Sequence, residues 1–228
     1  MANYIDTTYG QSVKPKTNYP HELSAYLFKR FKMEPGQTII DVGSGRGDYL
    51  KEFKVLGLKA IGLDHGRSEI ENLDLDIRKV DFEKDKFPLP DSSVDIIFCK
   101  SVVEHLQSPE NLMREARRVL KSGGIFIIMT PDWQSQMHIF YYNYTHVQPY
   151  VAAGVAGLLE LFDFTEIEAE LFYQLPLVWR APWLKILLKP LRWLWPVKRI
   201  NKSNFFRWSR ELMILGKGVK GSGRERNI

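Results

Sequence analysis

Asp41-Val42-Gly43-Ser44-Gly45-Arg46-Gly47-Asp48 closes a short apolar run, Thr38-Ile39-Ile40-Asp41-Val42, and opens a new periodic segment. A run of this length reads as a parallel strand buried on both faces, and a glycine-rich turn after it lets the backbone approach a ligand closely before a helix begins. Spacing narrows the choice of ligand. A dinucleotide-binding turn has its third glycine, beside a pyrophosphate, at the position this chain gives to Asp48. Here the third glycine is Gly47. A carboxylate at Asp48 repels a diphosphate but tolerates a ligand carrying a sulfonium and an ammonium.

Working outward, further strands are predicted at Ala60–Leu63, Ile77–Val80, Val94–Cys99 and Ile125–Thr130, the last after a turn at Lys121-Ser122-Gly123-Gly124. Helical spacing covers Pro109–Leu120 and about Tyr150–Phe162. Before the first strand an extended arm leads to a helix with Leu23, Tyr26, Leu27 and Phe31 on one face, ended by Pro35-Gly36. Strands alternating with helices predict an α/β fold with a doubly wound, mostly parallel sheet. The expected organisation is one domain with five parts. An arm and helix occupy 1–36 and a cofactor-binding core 37–173. A basic aromatic insertion at 174–210 precedes a last strand at 211–215 and a polar tail at 216–228.

Three more segments carry chemistry. Asp64 follows the second strand, where a carboxylate can accept hydrogen bonds from both hydroxyls of a ribose, or cap a helix start. Asp81-Phe82 ends the third strand and can read an adenine amino group while the ring packs on the base. Asp91-Ser92-Ser93-Val94-Asp95-Ile96-Ile97-Phe98 then leads to Ser101-Val102-Val103-Glu104-His105-Leu106.

In this order and spacing the segments resemble the motifs of class I S-adenosylmethionine-dependent methyltransferases, particularly the large ubiquinone/menaquinone-type group. The resemblance runs from about Thr38 to Thr130. It implies a Rossmann-like methyltransferase fold with a seven-stranded sheet whose last strand is antiparallel, and S-adenosyl-L-methionine as cofactor. It places Asp41, Gly43, Ser44, Gly45 and Gly47 around the methionine moiety, Asp64 on the ribose, and Asp81 and Phe82 at the adenine. Lys100 and Ser101 border the sulfonium. A nicotinamide-dependent oxidoreductase, or a protein that binds the donor without transferring its methyl, are the alternatives.

Methyl transfer from a sulfonium needs alignment above all, and a hydroxyl acceptor also needs its proton removed. Glu104, His105, His138 and His146 lie after the fourth and fifth strands, on the ligand side of an open sheet. Glu104-His105 resembles part of a Glu-x-x-Glu-His pattern of metal-dependent ubiquinone O-methyltransferases and small-RNA 2′-O-methyltransferases. The first acidic position is Ser101 here, so no metal is expected, although two imidazoles and a carboxylate could still bind a divalent ion. Thr145-His146-Val147-Gln148-Pro149 resembles a segment of bacterial polysaccharide-pathway methyltransferases. It follows an aromatic stretch holding Trp133, Phe140, Tyr141, Tyr142 and Tyr144, which suits a sugar or quinol. His146 is the expected base, and O-methylation of a small-molecule, glycan or lipid-linked acceptor the expected reaction.

Charge is concentrated late in the chain. Leu175 to Arg210 holds nine Lys and Arg, no Asp or Glu, and five of the six tryptophans, against a net charge of +5 for the 228 residues. Basic residues on a single segment argue against general nucleic-acid binding. Leu184, Leu187, Leu188, Leu191, Leu194 and Trp195 follow helical spacing opposite Lys185, Lys189 and Arg192, with Pro182, Pro190 and Pro196 expected to break the segment. Such a segment suits either the interface of an anionic membrane or a lid over the acceptor pocket. The single cysteine, Cys99, excludes an internal disulfide. A cytoplasmic protein, peripheral on the inner face of the membrane, is the expectation.

Overall fold

The structure, a computed structural model, describes residues 17–66, 75–194 and 210–222. Its strands are β1 (Thr38–Val42), β2 (Lys59–Asp64), β3 (Ile77–Lys79), β4 (Val94–Lys100), β5 (Leu120–Pro131), β6 (Phe164–Phe172) and β7 (Met213–Lys220). They form one sheet in the order β3-β2-β1-β4-β5-β7-β6. β1 to β5 are parallel, and β7 runs antiparallel to both β5 and β6. The helices are α1 (Tyr19–Arg30), α2 (Asp48–Val55), α3 (Glu110–Val119), α4 (Trp133–Gln136), α5 (Ala152–Leu161), α6 (Pro176–Arg180) and α7 (Leu184–Leu194).

Side-chain parity on the central strands divides the core in two. Ile40, Val42, Ile97, Cys99, Phe126 and Ile128 face the layer completed by Leu112, Met113, Ala116 and Val119 of α3 and Val155 and Leu159 of α5. Ile39, Ile96, Phe98, Ile127 and Met129 face the other layer, with Leu23 and Leu27 of α1 and Phe53 of α2. Phe53 meets Phe98 edge-on at 5.4 Å. Burying each such ring contributes about 2–3 kcal/mol. Both faces of the parallel strands are covered, which is why those strands read as unbroken apolar runs.

Several boundaries differ from the sequence reading. β5 starts at Leu120, which pairs with Val94, and the register shifts between Val94 and Ile96. The Lys121–Gly124 stretch is therefore an irregularity inside the strand, with Gly123 at φ +78°. β7 runs to Lys220, so the expected strand at 211–215 and tail from 216 divide at the wrong place. Gly216 and Gly218 continue the strand because α5 and β6 lie against them. A Cβ at Gly216 would sit 2.6 Å from Val155, and one at Gly218 2.8 Å from Phe164.

In the late insertion, Pro190 lies inside α7 and does not end it. Tyr173, Leu175, Val178, Leu188 and Leu212 form a small core of their own. Trp179 stacks on Phe172 at 5.4 Å and packs on Tyr26 at 4.9 Å, tying α6 to α1. Trp195 and Pro196 lie outside the described residues.

Candidate active site

The strand order reverses between β1 and β4, so their carboxyl ends diverge and leave a crevice, the usual ligand position of an open α/β sheet. A cavity of about 560 Å³ opens there. One wall is Gly43, Gly45, Asp64, Asp81 and Phe82, and the other is Ser101, Val102, His105 and Thr145.

The first wall is built by backbone. Gly43 sits at φ +74°, and a Cβ there would lie 2.3 Å from Val102 Cγ2, so the turn presents bare backbone to the cleft. Gly47, at φ +75°, caps the start of α2. The Asp64 carboxylate organises the turn, accepting from Gly45 N at 2.8 Å and from Gly66 N at 2.9 Å. Asp81 accepts from Glu83 N at 3.0 Å and lies 3.6 Å from Lys84 Nζ. Phe82 is buried against Phe87.

Asp41, Ser44, Gly47 and Lys100 do not line the cavity. Asp41 is 2% exposed and its Oδ2 has no hydrogen-bond partner. Burial, reinforced by the Asp64 carboxylate and opposed by Lys100, pushes its carboxyl up to about 8. Lys100 Nζ lies 5.7 Å from the Tyr49 ring centre. Asp48, first in α2, pairs with Arg46 at 2.8 Å.

The second wall has more strain and more chemistry. Ser101 holds φ +56°, the left-handed region, and its N–H donates to Met129 O at 2.8 Å. Glu104 is wholly buried and accepts from the Thr130 hydroxyl at 3.0 Å through Oε2, while Oε1 has no partner. Burial pushes its carboxyl up to about 7, against the pull of Thr130 and Lys100. The Glu104 carbonyl accepts from Val147 N at 2.8 Å and Gln148 N at 3.1 Å, pinning the 145–148 loop to the end of β4.

That pinning brings His146 to His105, with ring centres 4.8 Å apart. His105 Nδ1 lies 3.2 Å from Thr145 O and 2.9 Å from Thr145 Oγ1. A carbonyl only accepts, and the Thr145 hydroxyl donates to Asn143 Oδ1 at 2.8 Å. Nδ1 therefore carries a proton and donates to Thr145. His146 packs on Phe140 at 4.5 Å, and burial holds its pKa below the ordinary histidine value. Donor atoms of Glu104, His105 and His146 all lie within 4.8 Å of one another. Of the three, only His105 lines the cavity. His138 is exposed and not among the lining residues. The sequence reading did not single out Thr130, whose only signal is its place at the ligand-side end of a strand.

The fold is the Rossmann-like fold of methyltransferases, and the crevice lies where such a fold holds its ligand. A family described as "Methyltransferase domain" matches residues 40–128. A Mycolicibacterium smegmatis protein named a probable S-adenosylmethionine-dependent methyltransferase is 30% identical over 100 residues, covering 42% of this chain and 39% of that one. A sterol 24-C-methyltransferase of Gibberella zeae is 35% identical over 111 residues, covering 44% and 29%. The chain thus spans well under half the length of these relatives. A crystal structure of an Archaeoglobus fulgidus SAM-dependent methyltransferase superposes with a TM-score of 0.65 at 19% identity, over 95% of this chain and 100% of that one. Residues 40–128 are thus similar to a methyltransferase domain, and S-adenosylmethionine is the cofactor for which the Mycolicibacterium and Archaeoglobus proteins are named.

Proposed function

We propose that this chain binds S-adenosylmethionine and methylates a hydroxyl of a small-molecule, glycan or lipid-linked acceptor. The observation that carries the reading is one cleft whose walls differ in kind, a glycine and carboxylate cradle facing an imidazole and hydroxyl wall. The residues suit the donor. Gly43 lets the turn pack against Val102 with its backbone bare, and Asp41 is a buried acid with an unused oxygen that favours a nearby ammonium. Asp64 would hold the ribose, Asp81 and Phe82 the adenine. When bound, the donor supplies an electrophilic methyl on a sulfonium, which the acceptor oxygen takes as the carbon–sulfur bond breaks to leave the thioether. Ser101 and Lys100, at the end of β4, fix the backbone beside that point.

The Glu104–His105–His146 cluster handles the acceptor's proton. His105, the member that reaches the cleft, is given the acceptor-facing place that the sequence assigned to His146. Calorimetry with S-adenosylhomocysteine tests the donor half of the reading. Asp64→Ala should weaken binding about 10- to 100-fold, through two lost ribose hydrogen bonds of about 1–1.5 kcal/mol each. Binding of NADH with no binding of S-adenosylmethionine or S-adenosylhomocysteine would overturn it. Mass spectrometry of lipid and glycan extracts incubated with labelled donor identifies the acceptor.

The insertion supports a second reading, contact with an anionic membrane. Leu177, Trp183, Ile186 and Leu187 are 56–70% exposed on α6, α7 and the residues between. No described residue of the insertion lines the cleft, which weighs against a lid there. β6 ends on the same side of the sheet as β5, so this ridge and the cleft share one end of the molecule. No helix among the described residues is long and apolar enough to cross a membrane. Sedimentation with anionic vesicles should show binding that weakens with salt, by about 1 kcal/mol for each Lys185→Gln, Lys189→Gln or Arg192→Gln change. Trp183→Ala should remove a part that salt does not screen. Absence of binding at low salt ends this reading.

A further inference from the structure

We infer that Asn143 and Thr145 are positioning residues for His105: hydrogen bonds running from the Asn143 carboxamide through the Thr145 hydroxyl hold the imidazole in one tautomer, with Nε2 as the nitrogen that takes the acceptor's proton. The inference rests on the proposed acceptor role of His105, but the tautomer is measurable without donor or acceptor.

Each proton in this series is fixed by its neighbour. Asn143 and Thr145 stand two apart, the spacing at which an asparagine side chain folds back on its own backbone. Asn143 Oδ1 accepts from Thr145 N at 3.3 Å, and a backbone N–H only donates, so this contact decides which end of the carboxamide faces the threonine. The same oxygen accepts the Thr145 hydroxyl proton at 2.8 Å. With its proton committed there, the hydroxyl offers His105 only lone pairs, and Nδ1 lies 2.9 Å away. The Thr145 carbonyl, 3.2 Å from Nδ1, is a second acceptor for the same ring nitrogen. A neutral ring protonated at Nδ1 gains its second proton only at Nε2.

Further ties keep the loop against the histidine. Val147 N and Gln148 N donate to the Glu104 carbonyl at 2.8 and 3.1 Å, and Gln148 Nε2 donates to the Gln107 carbonyl at 3.1 Å. These anchors lie on either side of His105 in the chain, at the short turn Val103–His105. His105 and Thr145 line the cleft, whereas Asn143 does not, so Asn143 acts through its neighbour. In the transfer step the acceptor oxygen takes the methyl as the carbon–sulfur bond breaks, and its proton passes to Nε2. The imidazolium so formed donates from Nδ1 to Thr145 and returns a proton to solvent once the product has left. A hydrogen bond from a charged donor is stronger than one from a neutral ring, so the Thr145 contact gains strength as the proton moves. A base oriented by a third group is the common arrangement in proton-transfer sites.

The test uses the full chain carrying ¹⁵N-labelled histidine, with long-range proton–nitrogen spectra taken in alkaline solution where the ring is neutral. His105 signals are identified by their loss in His105→Ala. The parent chain should show the Nδ1–H form alone. Thr145→Val removes the hydroxyl and Asn143→Leu frees it to donate, so both should admit the Nε2–H form, and Thr145→Ser should restore the parent pattern. In methyl transfer, Thr145→Val should lower kcat about 10- to 100-fold, the scale of one hydrogen bond to a charged group. Asn143→Leu should lower kcat by less and leave the acceptor KM unchanged. Neither change should add to His105→Ala, because both act through that ring. Near-UV circular dichroism reports the fold, and if Asn143→Leu does not fold, the two Thr145 variants decide. An Nε2–H ring in the parent chain overturns the inference, as does an Nδ1–H form that survives unmixed in the folded variants. Full activity in His105→Ala would instead overturn the acceptor role itself, and the spectra show which of the two has failed.

Discussion

Replacing His105 with alanine should lower methyl transfer by about two to four orders of magnitude, the usual scale for losing the group that manages an acceptor's proton. Donor affinity should stay unchanged, because the donor cradle belongs to the opposite wall. His146→Ala should also reduce turnover, since its ring packs 4.8 Å from His105, but by less than His105→Ala. The measurement is single-turnover transfer of a labelled methyl to the acceptor identified by mass spectrometry. Full activity in His105→Ala would remove the acceptor wall from the mechanism. A collapse in His146→Ala alone would make His146 the principal group, as the sequence by itself implied.

A second large effect is expected at Asp41. Its folded carboxyl is raised from 3.8 to about 8, chiefly by burial. A group raised in this way contributes stability below its unfolded pKa, and that contribution is lost as pH climbs through the folded value. The donor-free protein should therefore lose stability between about pH 4 and 8, by an amount on the order of a few kcal/mol. Asp41→Asn should flatten this dependence and be the more stable protein at pH 9, with the two converging near pH 4. Denaturant melts across the range measure it. Donor binding should run the other way. An ammonium beside Asp41 favours the carboxylate, so affinity for S-adenosylhomocysteine should rise from pH 6 to 8 with proton release, and the variant should show neither. Equal pH profiles in the two proteins would mean that Asp41 titrates normally.

What the sequence disclosed follows the range of the interactions involved. The Asp41–Asp48 turn and the double-faced strands were legible because glycine placement and apolar runs are local properties. The start of β5 was not, since Leu120 becomes strand only through its pairing with Val94. Nor was the end of β7, where Gly216 and Gly218 look like tail until α5 and β6 are laid against them. In the site, the adjacent Glu104 and His105 stood out together. His146 could be suspected but not placed, because two hydrogen bonds to the Glu104 carbonyl, from Val147 and Gln148, bring its loop in. Thr130 was invisible for the same reason.

The reversal of strand order between β1 and β4 also divides the chain by inheritance. Everything proposed to touch the donor's sugar and base precedes β4, whereas most of the opposite wall follows it. The matched stretch, 40–128, covers the first group and stops short of Thr130, Thr145 and His146. Kinship can thus disclose what such a chain takes its methyl from while staying silent on what receives it. A chimera that keeps residues up to β4 and borrows the remainder from a relative should retain its donor and change its customer.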